Sequence, residues 1–266
     1  MKNITISSKS IMICAILFLS SAISGNIQAN SMGVLAKENT IEKQFNQAKK
    51  KGKVVFVLIT STSAVGVDKA TQIANDAHSK HSKSEVIVIN KDDAANKEIV
   101  AKYGIGNVNV PFFLVISPKG NAVAGFMLAQ ATPDALVNAI PSPKQDEVLV
   151  AFTEKKPIFI VISKKGLTDK STILENCKSA SAKIATKPNV VEFDFADAKE
   201  VPFLNKLGIK ALNDKTITMV VNASGQVTDK FEGIALETAL IASASKVIKS
   251  GCGSGSGCGS SCGPKK

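Results

Sequence analysis

The sequence contains the same unit twice, and this repeat constrains the possible fold more than any other feature. The segment KVVFVLI at 53–59 recurs as KPIFIVI at 156–162, an offset of 103 residues. Further along, 103–105 recurs as 207–209 at an offset of 104, and 112–120 recurs as 217–225 at an offset of 105. Because the offset changes so little, we infer duplication of one unit of about a hundred residues.

Each copy alternates helical periodicity with short apolar runs, in the predicted order αβαβαββα. In the first copy the predicted helices are 41–50, 68–80, 94–103 and 133–140, and the strands 54–59, 86–89, 112–116 and 122–128. In the second copy the predicted helices are 147–153, 171–184, 199–207 and 236–248, and the strands 158–162, 190–195, 217–221 and 226–231. Short apolar runs separated by helices predict an α/β fold in which helices flank a mixed central sheet in each copy.

The ends of the chain differ in composition from the two copies. Residues 1–29 carry two lysines, the apolar run 11–19 and small residues up to Ala29, which is typical of a secretory signal peptide. We therefore expect an exported protein, periplasmic or extracellular, with no stable membrane insertion because no later run is long enough to span a bilayer. The predicted divisions are domain 1 at 30–140, a Pro-rich linker at 141–144, domain 2 at 145–250 and a Cys/Gly/Ser-rich tail at 251–266.

The charge of the chain does not indicate a nucleic-acid partner. The formal net charge is +11, and all 33 basic residues are lysine. Arginine, whose planar fork reads phosphate and guanine bidentately, is absent, and Tyr103 is the single tyrosine in a chain without tryptophan. We interpret the lysines as a solubilising surface and expect no nucleic-acid binding.

The element order and one proline resemble a known family. Val110-Pro111 leads into the strand 112–116, and the turn Ser117-Pro-Lys-Gly120 follows that strand. Together with the order αβαβαββα in both copies, this resembles the thioredoxin superfamily. The resemblance implies two tandem thioredoxin-like domains, a cis peptide bond at Pro111 and a groove beside Val110 and Pro111 for an extended peptide or substrate thiol of a protein partner.

The catalytic motif of that family is missing. In the family, a Cys-x-x-Cys pair stands where the first strand leads into the next helix, because the helix N-terminus stabilises a thiolate. Here that stretch reads TSTSAVGVD at 60–68 and SKKGLTD at 163–169, without cysteine, and Thr216 stands where Pro111 would recur. We therefore predict redox-inactive binding modules with no catalytic residue at this position. We expect Ser61, Ser63 or Asp68 to cap the following helix.

The tail holds three of the five cysteines, Cys252, Cys258 and Cys262, in a Gly/Ser-rich segment. Three thiolates on a flexible segment could bind a soft ion such as Cu(I) or Zn(II), or dock a partner. Alternatively they could act as a mobile dithiol in thiol-disulfide exchange, the one enzymatic activity that the sequence leaves open. A third hypothesis is a structural role, with the tail crosslinking the protein into an envelope assembly.

The remaining candidate metal ligands, one cysteine and two histidines, have simpler interpretations. Cys177 lies on the apolar stripe of the helix 171–184, which predicts a buried structural thiol. His78 and His81 are three residues apart and could chelate a metal. Their place near a helix end, among serines and lysines, where a cation suits the helix dipole, favours an ordinary structural position instead.

Overall fold

The computed structural model describes residues 40–248. In the first unit the elements are α1 (Thr40–Lys50), β1 (Val54–Thr60), α2 (Val67–Lys80), β2 (Ser84–Asn90), a 3₁₀ turn (Ala94–Asn96), α3 (Lys97–Lys102), β3 (Phe112–Ile116), β4 (Ala122–Met127) and α4 (Pro133–Asn138). In the second unit they are α5 (Pro143–Thr153), β5 (Ile158–Ser163), α6 (Lys170–Lys183), β6 (Asn189–Asp194), α7 (Val201–Lys206), β7 (Ile217–Val221), β8 (Val227–Glu232) and α8 (Glu237–Ser245).

Two four-stranded sheets form, one per unit, with the same topology. Their strand orders are β2-β1-β3-β4 and β6-β5-β7-β8. In each sheet the first two strands of the unit pair in parallel, and the remaining pairs are antiparallel. The predicted fold class, two mixed sheets flanked by helices, is confirmed. The repeat is also structural, since Ile59 pairs with Phe112 as Ile162 pairs with Ile217.

The central strands explain why each unit folds. β1 and β5 are continuous apolar runs, and helices cover both faces of their sheets, so these strands are buried on both sides. Phe56 on β1 and Phe159 on β5 occupy corresponding positions and are both fully buried. Each belongs to the apolar cluster on the α2/α4 or α6/α8 face of its sheet. The two units therefore have separate cores of similar construction.

The start of α5 and the cap of α2 differ from the sequence predictions in ways that have a clear local cause. α5 begins at Pro143, because Ser142 and Gln145 form a reciprocal capping box and proline suits the first helical position. The connector predicted for 141–144 therefore ends at Ser142, and Pro143 and Lys144 belong to the helix. The predicted caps of α2, Ser61, Ser63 and Asp68, are wrong: the N-cap residue is Gly66, in a left-handed conformation (φ 84°) and without a side-chain cap bond.

Helix α5 carries the contact between the units. The Asp146 carboxylate accepts hydrogen bonds from Ser117 Oγ (2.6 Å), the Lys119 backbone N–H (3.1 Å) and Asn121 Nδ2 (3.1 Å). At the other end of the helix, Thr153 Oγ1 donates to Asn121 Oδ1 at 2.9 Å. The turn between β3 and β4 of the first unit is thus hydrogen-bonded to the first helix of the second unit.

Some of the sequence predictions fall outside residues 40–248. These are the signal peptide at 1–29 and the tail cysteines Cys252, Cys258 and Cys262. Among the described helices, none is both long enough and apolar enough to cross a membrane.

Candidate binding site

The site that the sequence predicts lies where β3 begins. The Val110–Pro111 peptide bond is cis, as the resemblance implied. Pro111 is buried and Val110 is half-buried, so both contact the body of the unit. The loop before them is held by Lys91, whose Nζ donates to the carbonyl oxygens of Gly106 (3.1 Å) and Val108 (2.9 Å).

The loop after β1 reaches the same end of the sheet and presents hydroxyls instead of thiols. The Thr62 backbone N–H donates to Asp92 Oδ2 at 3.1 Å, and Asn90 Nδ2 donates to Thr62 Oγ1 at 3.5 Å. The Lys91 backbone N–H donates to the Thr60 carbonyl at 2.9 Å. The loop is therefore fixed to the β2 side of the sheet and contains no group that can cycle through a disulfide.

Gly66 brings this loop against the end of β4. A Cβ atom at Gly66 would lie 3.0 Å from Leu128 Cδ2, so a side chain there would crowd Leu128. The loop also exposes Val65, of which 86% is accessible, and the neighbouring end of β4 exposes Met127, of which 51% is accessible. We call the surface formed by loop 60–66, Val110, Pro111 and Met127 the Pro111 end.

The corresponding end of the second unit is closed by an internal contact. Thr216 matches Pro111 in the sheet register, and Asp169 at the start of α6 matches Gly66. The Asp169 carboxylate accepts hydrogen bonds from the Thr216 backbone N–H (3.0 Å) and from Thr216 Oγ1 (2.7 Å). In the second unit a side-chain hydrogen-bond pair thus joins the helix start to the strand start.

Strand order, pairing directions and the proline before β3 together decide the architecture. Both units have the thioredoxin-like fold. No protein-family model matches the sequence, and no match was found among curated proteins. The fold assignment rests on the topology of this chain.

Solved structures with some similarity include a thioredoxin and tandem thioredoxin domains. Thioredoxin NaTrxh from Nicotiana alata is 19% identical, with 36% of this chain and 76% of that chain covered and a TM-score of 0.29. The first two thioredoxin domains of Naumovozyma dairenensis Eps1p are 13% identical, with 82% and 99% covered and a TM-score of 0.30. The equivalent pair from Saccharomyces cerevisiae Eps1p is 11% identical, with 76% and 96% covered and a TM-score of 0.28.

The remaining candidate residues have structural roles. Cys177 is fully buried in the second unit, and burial raises the pKa of its thiol to about 12, so the predicted buried thiol is confirmed. His78 Nδ1 lies 3.0 Å from Ser84 Oγ, which donates to the His81 carbonyl at 2.6 Å. Within residues 40–248 no group of three or more His, Cys, Asp or Glu side chains is arranged to hold a metal ion.

Sequence reasoning missed several residues at these two ends. Val65 and Met127 carry the exposed apolar surface. The one sequence feature that could have indicated them is an apolar residue in a loop or at the end of a strand. The pair Asp169 and Thr216 was missed as a contact, because 47 residues separate its members. The repeat offset shows that these positions correspond to Gly66 and Pro111, but it does not show that the two residues touch.

Proposed function

We propose that this chain is an exported, non-catalytic thioredoxin-like binding or carrier protein. The first unit docks an extended segment of a protein partner at the Pro111 end. The tail thiols Cys252, Cys258 and Cys262 bind a soft metal ion, Cu(I) or Zn(II), or engage that partner. The fold itself suggests a redox or disulfide-related setting.

One observation carries the proposal. At the Pro111 end, an exposed apolar surface adjoins Pro111, and the loop that would carry a catalytic cysteine pair holds Thr60 to Ser63 instead. Exposed apolar side chains beside an extended backbone favour recognition of an apolar peptide segment. Hydroxyl groups there can donate and accept hydrogen bonds but cannot exchange disulfides. The chemistry at this end therefore supports binding rather than redox catalysis.

The docking half is tested with a random-peptide display library selected on the full chain in the presence of reductant. We expect selected peptides to bind, and Val65→Glu to weaken their binding at least about tenfold, a change of about 1.4 kcal/mol. The matched control is Leu236→Glu, since Leu236 is 67% exposed at the corresponding end of the second unit. If the peptides bound the Val65→Glu variant as tightly as the Leu236→Glu variant, they would be binding at another surface, and the docking half of the proposal would be overturned.

The tail half is tested by titrating the reduced full chain with Cu(I) and with Zn(II) against a chromophoric chelator. We expect stoichiometric binding that the triple variant Cys252→Ser, Cys258→Ser, Cys262→Ser loses. Cys177→Ala is the control, since it removes one thiol that is fully buried. Retention of the ion by the triple variant would refute the tail as a metal carrier.

A thiol-disulfide oxidoreductase that uses the tail as a mobile dithiol is the second candidate, favoured by the three cysteines in one short segment. The test is insulin reduction by the full chain, compared with a free peptide of sequence 249–266. A rate no higher than that of the peptide would refute this candidate. A faster rate that the triple serine variant abolishes would instead replace the carrier proposal.

Export and crosslinking have their own measurements. We expect N-terminal sequencing of the protein from the producing cell to begin at Asn30, after a signal cleaved at Ala29. An intact Met1 would overturn the export proposal. Non-reducing gels of native extracts test the structural alternative, in which the tail crosslinks copies. Monomer alone on such gels would count against it.

A further inference from the structure

Among residues 40–248 the two sheets have four edge strands, and these differ sharply in charge. The strand orders place β2 and β4 at the edges of the first sheet and β6 and β8 at the edges of the second. β2 carries Glu85, β6 carries Glu192 and Asp194, and β8 carries Asp229, Lys230 and Glu232. β4 has the sequence AVAGFM and carries no charge. Edge strands normally use charged side chains to prevent pairing with another chain.

β4 also presents an open backbone. Within the part of the chain that the structure describes, β4 pairs with β3 alone, and none of its six residues is buried. In a strand with one neighbour, alternate N–H and C=O groups point away from that neighbour, where another strand can pair with them. β4 therefore combines an unpaired edge with the absence of the charges that protect the other three.

An aromatic ring of the neighbouring strand covers the middle of β4. A Cβ atom at Gly125 would lie 2.5 Å from Phe112 Cζ, so the Phe112 ring on β3 occupies the space where a side chain would stand. The group that approaches the Gly125 backbone closely, and that requires a glycine there, is therefore the Phe112 ring of the same unit. Phe112 pairs directly with Met127, which is 51% exposed. The same face thus offers an apolar surface, formed by Phe112 and Met127, beside the open edge.

We propose that β4 pairs with β4 of a second copy of this chain, in antiparallel orientation about a two-fold axis. This contact joins the first sheets of two copies into one eight-stranded sheet. With Gly125 on the axis, Ala124 of each copy lies opposite Phe126 of the other, small against large. No charged side chain of the strand is enclosed, because β4 has none.

A second copy fits this edge better than a charged peptide. An uncharged strand offers backbone hydrogen bonds and apolar contact but nothing that pairs with a charge, so the complementary strand is itself uncharged. The described strands that fill the interior of the sheets are already paired on both sides. The free, uncharged strand that every copy supplies is β4. This inference does not rest on the proposed function, and the two surfaces share Met127, which belongs both to β4 and to the Pro111 end.

Sedimentation velocity of the full chain over a concentration series tests the pairing, with reductant present so that cysteines cannot crosslink copies. We expect a reversible dimer with a dissociation constant in the micromolar range, since one strand pair buries less than a standard interface. Ala124→Lys should weaken association by on the order of tenfold or more. Glu232→Lys, which places the same charge on the edge strand of the second sheet, should leave it unchanged.

A second variant guards against misfolding of the first. Ala122 is exposed at the end of β4 away from Pro111, so Ala122→Lys should keep the fold, checked by circular dichroism, and still weaken the dimer. A photo-crosslinking residue at Met127 should yield covalent dimers, and one at Glu232 should not. A wild-type chain that stays monomeric, or lysine variants that associate like wild type, would overturn the proposal. Val65→Glu, which tests peptide docking, should leave the dimer intact.

Discussion

The two units share a topology, yet they differ at one end of the sheet. There the start of α2 lies near the start of β3 in the first unit, and the start of α6 near the start of β7 in the second. In the first unit these positions hold Gly66 and Pro111, which have no polar side chain to join. In the second unit they hold Asp169 and Thr216, joined by two hydrogen bonds of 3.0 and 2.7 Å. Both members of the pair therefore differ between the units: neither Gly66 nor Pro111 can make the side-chain contact that Asp169 and Thr216 make. The first unit leaves this end without such a side-chain contact, and the second closes the same end with its own side chains.

Two further pairs of corresponding buried residues also differ in polarity between the units. Asn96 in the first unit corresponds to Glu200 in the second, and both are buried at the start of a short helix. Phe113 on β3 corresponds to Thr218 on β7, and both are fully buried. At these positions the second unit has an ionisable or polar group where the first has a neutral amide or an aromatic ring. These differences allow each unit to be perturbed by itself.

The largest expected effect comes from the two matched phenylalanines in the cores. Phe56→Ala and Phe159→Ala should each destabilise only their own unit, by about 3 to 5 kcal/mol, through loss of apolar burial and creation of a cavity. Tyr103 is the single tyrosine and is buried in the first unit, so its fluorescence reports on that unit alone. Circular dichroism during urea unfolding reports on both units.

The outcome distinguishes independent units from a coupled pair. We expect Phe56→Ala to shift the tyrosine transition and Phe159→Ala to leave that transition in place while it shifts the remaining circular dichroism change. If both variants shift both signals equally, the contact through Asp146 makes the chain one cooperative unit.

Most of the fold could be predicted from the sequence because the repeat and the buried central strands leave strong patterns. β3 and β7 were predicted with the observed bounds, since continuous apolar runs ended by a turn have clear limits. Helix starts were harder. Gly66 is the N-cap of α2 although three nearby residues were better cap candidates, because its left-handed conformation (φ 84°) and its close contact with Leu128 both favour glycine.

The next effect is on the hydrogen-bond pair that closes the second unit. Asp169→Ala removes the acceptor of the Thr216 N–H and hydroxyl, and Thr216 is fully buried, so the loss should be about 1 to 3 kcal/mol. The circular dichroism transition of the second unit should move, and the Tyr103 signal should not. A double-mutant cycle with Thr216→Val measures the coupling. Additive single effects would mean that the two residues do not stabilise each other.

Glu200 should make the stability of the second unit depend on pH. Burial raises the pKa of Glu200, although Ser142 Oγ donates to its carboxylate at 2.7 Å, which lowers the pKa. The groups around it are Asp197 and Glu147, which raise the pKa, and Lys144, which lowers it. A raised pKa in the folded state means that its contribution is fully present below the unfolded pKa of about 4.3 and is lost as pH rises through the folded pKa.

The test compares Glu200→Gln with wild type at acid and neutral pH. Glutamine cannot ionise and can still accept from Ser142, so the stability of the variant relative to wild type should increase as pH rises. Glu175→Gln, at an exposed position of α6, is the control and should show no such trend. A pH-independent difference for Glu200→Gln would show that this carboxyl titrates alike in the folded and unfolded chain.

The candidate site was less predictable than the fold, for a physical reason. Pro111 could be placed from its position before an apolar strand, which is a local pattern. The exposure of Val65 and Met127 depends on which elements leave one end of the sheet uncovered, and the pairing of Asp169 with Thr216 depends on chain segments far apart in sequence. Neither leaves a periodic signal, so both emerge only when the elements are assembled.

The smallest effect concerns one hydroxyl. Thr218 Oγ1 is the single buried side-chain polar atom without a hydrogen-bond partner among the described residues. Thr218→Val replaces that hydroxyl with a methyl group of similar size and should stabilise the second unit by about 1 kcal/mol, because no hydrogen bond is lost. Thr228 on the adjacent strand is the matched control, since its Oγ1 donates to the Val220 carbonyl at 3.2 Å. Thr228→Val should therefore destabilise the same unit by about 1 kcal/mol. If the two substitutions change the free energy of unfolding in urea with opposite signs, the Thr218 hydroxyl makes no stabilising contact in the core of the second unit. The first unit has the ring of Phe113 at the corresponding position. Equal signs would mean that the Thr218 hydroxyl finds a partner in solution.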